Sequence, residues 1–138
     1  MHEEQILIDH ARNYMQAVNA VHQKHLPLVN RGTSSLPGGD FCQELVAVRE
    51  HYLVPKKRDW LGGRFNPPPY SEAEAPNTVF HAELVSEKRG MVTVLTNGKL
   101  DFRFTLQRRK DGWKISSIAE RFHSPDRTVE YQWRWTDL

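Results

Sequence analysis

The stretch Val79–Phe122 constrains this chain more than any other. It reads VFHAELVSEKRGMVTVLTNGKLDFRFTLQRRKDGWKISSIAERF, a series of apolar runs broken at Glu87–Gly90, Asn97-Gly98 and Asp111-Gly112. Asn-Gly and Asp-Gly supply the positive φ angles that tight hairpins need. Strands joined in sequence order by turns this short form an antiparallel sheet.

The last hairpin can be threaded residue by residue. With Asp111-Gly112 as a two-residue loop, Lys110 faces Trp113, Arg108 faces Ile115, Leu106 faces Ser117 and Phe104 faces Ala119. Cross-strand partners share a face. One face then carries Phe102, Phe104, Leu106, Trp113, Ile115 and Ala119, and the other Arg103, Thr105, Gln107, Arg109, Lys114 and Ser116. Asp101 has the opposite parity to Phe102 and Phe104, so it points away from the apolar side. At Asn97-Gly98 two registers compete. A two-residue loop pairs Met91 with Phe104 and puts Val92 and Val94 on the polar face; a one-residue bulge reverses this. An apolar second face would be covered by the chain itself or by a partner, including a second copy in a homodimer.

Before the sheet, Glu3–His25 has helical periodicity. Ile6, His10, Tyr14, Val18 and Val21 recur at three and four, flanked by Leu7, Ala11 and Met15, and Pro27 ends the run. A Gly- and Pro-containing linker leads to Asp40, an N-cap with Gln43 three residues on. Phe41, Leu45, Val48 and Tyr52 follow at helical spacing, predicting a second helix over Phe41–Leu53 that Pro55 closes. Lys56–Asn77 is a long loop with Gly62-Gly63, three consecutive prolines and Trp60, Phe65 and Tyr70 to pin it. After the sheet, Thr128–Thr136 alternates, with Val129, Tyr131, Trp133 and Trp135 on one side, and predicts a C-terminal strand. Helices first and strands afterwards give an α+β domain, its helices laid on a curved antiparallel sheet of four to six strands.

At 138 residues the chain has room for one domain with a real core. No apolar run reaches the roughly 18 residues of a membrane span. The acidic start MHEEQ is unlike a secretory leader. Cys42 is the one cysteine, which leaves no internal disulfide or cysteine-based zinc site and makes the cytoplasm the expected compartment. A net charge of +2, with basic clusters only at Lys56–Arg58 and Arg108–Lys110, does not make the basic stripe that nucleic acid requires.

The N-terminal amphipathic helix and the closing hairpin Phe102–Ile118, an aromatic strand, a charged turn and a Gly-Trp-x-Ile strand, resemble the NTF2-like superfamily. There, helices close the mouth of a curved sheet to form a cone. The segment Glu44–Arg58 with that hairpin resembles the NTF2-fold immunity proteins, which bind and neutralise a cognate bacterial toxin. The triple proline and the C-terminal aromatic strand match no pattern of that family.

Two functions follow from the resemblance. NTF2-like isomerases, dehydratases and cyclases place an Asp or His as general base inside the cone, and here the candidates are His10, Tyr14, His81 and Asp101. Each has a structural alternative: His10 and Tyr14 lie on the apolar stripe, and Asp101 has the wrong parity. The histidines lack HxH, HExxH or paired-carboxylate spacing, so neither a metal nor another cofactor is implied. The expectation is therefore a non-enzymatic binding protein, an immunity protein whose partner is a toxin; a small-molecule isomerase, dehydratase or ligand carrier is the alternative. The residue types that dominate interfaces, Trp, Tyr and Arg, gather at the C-terminus as Arg121, Arg127, Tyr131, Trp133, Arg134 and Trp135. Given the positive net charge, the toxin would be near-neutral or acidic, or would meet an acidic patch of Glu72, Glu74 and Glu83.

Overall fold

The computed structural model describes residues 2–25, 40–54 and 70–135. Two helices, α1 (His2–His25) and α2 (Asp40–Tyr52), precede a five-stranded antiparallel sheet in the order β1-β2-β3-β4-β5. Its strands are β1 (Val79–Ser86), β2 (Arg89–Leu95), β3 (Leu100–Arg109), β4 (Gly112–Phe122) and β5 (Arg134–Trp135). A 3₁₀ turn, Ser71–Glu74, leads into β1. The linker between the helices and most of the Lys56–Asn77 loop, including Lys56–Arg58, Trp60 and Phe65, lie outside the described residues.

Each helix forms where its apolar spacing puts one stripe against the sheet. Leu7, Ala11, Tyr14, Met15, Val18 and Val21 of α1 are buried, and Glu3 and Glu4 occupy its first turn, where acids favour the helix dipole. About 24 residues at 1.5 Å each carry α1 some 36 Å along the sheet. The shorter α2 buries Leu45 and ends in a stitch to β4, where Val54 N–H donates to the Ile115 carbonyl at 2.9 Å.

The sheet's inner face carries Val92, Val94, Phe102, Phe104, Leu106, Trp113, Ile115 and Ile118, all buried. Val92 pairs with Phe104 and Val94 with Phe102. The Asn97-Gly98 connection therefore takes the bulged register, because Thr96 leaves the ladder and its N–H turns to the Asp101 carboxylate at 2.9 Å. The outer face of β2 and β3 shows Thr93, Arg103, Thr105 and Gln107 instead, so no Val92–Val94 apolar patch is there to receive a second copy.

The β3–β4 register differs from the two-residue Asp111-Gly112 reading in two steps. Arg109 pairs with Gly112, so the loop is Lys110-Asp111, and Gly112 at φ 114° follows the turn instead of lying inside it. That shift of two leaves every side chain on its expected face. A bulge between Ile115 and Ser117 then shifts the register by one more. It brings Ile118 into the core and turns Ala119 to the outer face, correcting the expected position of Ala119.

Of the expected strand over Thr128–Thr136, the described residues form only Arg134–Trp135, paired to Glu120 and Ala119; Thr136 lies outside the described residues. Residues 123–133 fold back as turns, with one bridge between His123 and Glu130.

Candidate functional site

The candidate general bases are not brought together. His81 is exposed on edge strand β1. His10 is half-buried on α1, its Nε2 donating to the Tyr52 carbonyl at 3.1 Å. Burial lowers its pKa, against the opposing effect of that hydrogen bond. Tyr14 is buried in a stack of rings, 5.9 Å from Tyr52, 5.9 Å from Tyr70 and 6.2 Å from Phe104 between centroids. Tyr70 in turn lies 4.9 Å from Phe102, edge to face. These rings pack together in the core between the helices and the sheet. Burial, and then the hydroxyl of Tyr14 hydrogen-bonded to it, pushes the Tyr70 phenol well above its ordinary pKa. That group holds its proton.

Asp101 sits on the opposite, outer side of the sheet, as its parity requires, yet it is fully buried. The C-terminal segment covers it. Arg127 Nη1 donates to Oδ2 and Nη2 to Oδ1, each at 2.8 Å. Arg121 Nε adds a third bond at 3.0 Å, and His123 Nε2 lies 3.3 Å from Oδ1. Burial alone would raise the carboxyl pKa. The hydrogen bonds from Arg127, the Thr96 amide and Arg121, with the nearby His123, outweigh it and hold Asp101 below its ordinary range. A carboxylate so held is an anchor and a poor proton acceptor.

The anchor extends outward. Arg121 and Arg127 both reach Glu130 Oε2, at 3.1 and 3.2 Å, and Arg127 Nη2 also donates to the Thr96 carbonyl at 2.7 Å. The Trp133 ring lies against two guanidinium groups, 4.2 Å from Arg103 and 4.5 Å from Arg121. Main-chain bonds complete the fold-back: Ser124 N–H to Val129 O at 2.8 Å, and Tyr131 N–H to Phe122 O at 2.9 Å. Three of the expected partner-binding residues, Arg121, Arg127 and Trp133, are thus engaged within the molecule.

Fixing those three leaves the others outward. Tyr131 is 62% exposed and Trp135 66% exposed, beside exposed Phe122 and Val129. Tyr131 lines a groove of about 880 Å³ together with Phe122, Pro125, Val129 and Trp133, with Lys99 and Arg134 also in its lining; Trp135 is exposed on the neighbouring β5. The predicted acidic patch does not form as one surface. Glu72 accepts the backbone amides of Lys99 and Leu100, at 2.7 and 3.2 Å, while Glu83 lies out on β1.

Lys99 and Pro125 as groove residues and Asp101 as the anchor were not foreseen from the sequence. The available signal was an acid of outward parity on a strand whose neighbour carries Arg121. Among the described residues, no group of three or more His, Cys, Asp or Glu is placed to hold a metal ion. No helix among them is long and apolar enough to cross a membrane.

The chain matches no known family model, no curated protein and no solved structure.

Proposed function

We propose that this chain is a binding protein that takes a protein partner on its C-terminal groove. The observation that carries this reading is the contrast within residues 121–135. Arg121, Arg127 and Trp133 are locked to the sheet, and Tyr131 and Trp135 are held out into water. Large exposed aromatics on a rigid support bind with little ordering cost, which is the property of an interface anchor. Lys99 and Arg134 in the groove lining favour a partner segment that is apolar with acidic flanks.

Within that class, the reading carried by the NTF2-like resemblance is an immunity protein that neutralises a bacterial toxin. A near-neutral or acidic toxin would suit these positive charges. The ring-filled space around Tyr14 and Tyr70 supports binding at the surface over isomerase or carrier chemistry in a cone.

The test is co-expression of the chain with the product of its neighbouring open reading frame. The neighbour alone should arrest growth, and the chain should restore it. Tyr131→Ala/Trp135→Ala should abolish the rescue at equal expression. A neighbour that is harmless alone contradicts the immunity reading. Full rescue by the double variant contradicts binding through the exposed aromatics.

A further inference from the structure

The two edges of the sheet are managed differently. On the far side, β4 is bridged by Leu53 near Ile115 and by the two-residue β5 at Ala119 and Glu120. On the near side, β1 runs for eight residues and, among the described residues, pairs only with β2. It carries no lysine or proline, and its one irregularity falls at its end, between Leu84 and Ser86. Val79, Leu84 and Val85 are all exposed along it. A long, regular edge with apolar side chains is a template for another strand.

The order of residues on this edge identifies which strand. Val79-Phe80-His81-Ala82-Glu83-Leu84-Val85 is chemically symmetric about Ala82. We propose that β1 pairs antiparallel with the β1 of a second copy of this chain, about a two-fold axis at Ala82. Val79 then meets Val85 of the other copy, Phe80 meets Leu84, and His81 meets Glu83, with every contact made twice. The faces agree with this register. Phe80, Ala82 and Leu84 share the helix side through their partners Val94, Val92 and Gly90. Val79, His81 and Glu83 share the outer side through Leu95, Thr93 and Met91. Imidazole opposite carboxylate is a donor–acceptor complementarity that self-pairing supplies in both directions. An isologous two-fold contact of this kind joins the two sheets edge to edge. It uses the edge opposite the C-terminal groove and is independent of the function proposed for that groove.

Sedimentation velocity of the full chain tests this. The expected species has twice the 16.1 kDa chain mass and dissociates in the micromolar range. His81→Glu places two carboxylates opposite each other twice and should raise the dissociation constant about tenfold or more. Adding Glu83→Lys to it should restore dimerisation. Both positions are exposed, so the circular dichroism of the variants should match that of the wild type. Ala82→Cys should form a covalent dimer on mild oxidation and His81→Cys should not, because only position 82 meets itself; the wild type controls for Cys42. A wild-type monomer at tens of micromolar overturns the proposal. So does a folded His81→Glu variant with unchanged affinity, or equal cross-linking at positions 81 and 82.

Discussion

The two terminal nitrogens of Arg127 meet the two carboxylate oxygens of Asp101, each at 2.8 Å. This bidentate pair joins the C-terminal fold-back to the outer face of β3, 26 residues away in sequence. Arg127 adopts φ 59° to make it, one of the costs the pair must offset. Removing the charge of a buried, fully bonded carboxylate leaves its donors without a counter-charge. Asp101→Asn should cost about 2–4 kcal/mol. Arg127→Lys should recover little of what Arg127→Ala loses, because an ammonium cannot reproduce the fork. Urea unfolding followed by Trp fluorescence measures both.

The same carboxylate sets a pH dependence. Its folded pKa is depressed, so near the ordinary carboxylate range the folded chain binds fewer protons than the unfolded one. Its contribution to stability is complete above that range and is lost as pH falls through it. Below about pH 4, wild-type stability should drop more steeply than that of Asp101→Asn. Parallel acid titrations of the two proteins, monitored by unfolding midpoint, give the comparison.

Tyr70 gives the opposite slope at alkaline pH. Its phenol pKa is raised, so above about pH 10 the unfolded chain releases a proton that the folded chain retains. Stability falls as pH rises through that range. Tyrosinate absorbance should show a phenol that ionises only on unfolding, and Tyr70→Phe should remove it from the titration.

Gly90 is a packing requirement. A Cβ there would press into the side chain of Leu7, which α1 holds fully buried against the sheet. Gly90→Ala should destabilise by about 1–3 kcal/mol through overpacking. The double variant Leu7→Val/Gly90→Ala should recover part of that loss in a double-mutant cycle.

Much of this fold was legible because its elements carry strong local signals. The stripe of Leu7, Ala11, Tyr14, Met15 and Val18 marks α1, and the glycines at 98 and 112 mark the turns. Facing survived an error of two at Lys110-Asp111, since side chains alternate with period two. It failed at Ala119 because a bulge between Ile115 and Ser117 leaves no mark in the side-chain pattern. The C-terminal segment was over-read for the reverse reason. Val129, Tyr131, Trp133 and Trp135 alternate cleanly, yet ion pairs to Asp101 and the Trp133–Arg103–Arg121 stack decide their path. Those contacts span 26 to 31 residues of sequence in the case of Arg127 and are invisible to any local period. That is why Arg121, Arg127 and Trp133 resemble interface residues in the sequence and serve as anchors in the fold.

These anchors hold Tyr131 and Trp135 out, where we propose a protein partner binds. Titration calorimetry of the neighbouring gene product against wild type and Tyr131→Ala/Trp135→Ala tests it most directly. Both residues are exposed, so the variant's stability should stay within about 0.5 kcal/mol of wild type. Its affinity should fall about a hundredfold or more, as expected for two anchors each worth at least about 1.4 kcal/mol. An equally stable variant that binds the partner with unchanged affinity contradicts the proposal.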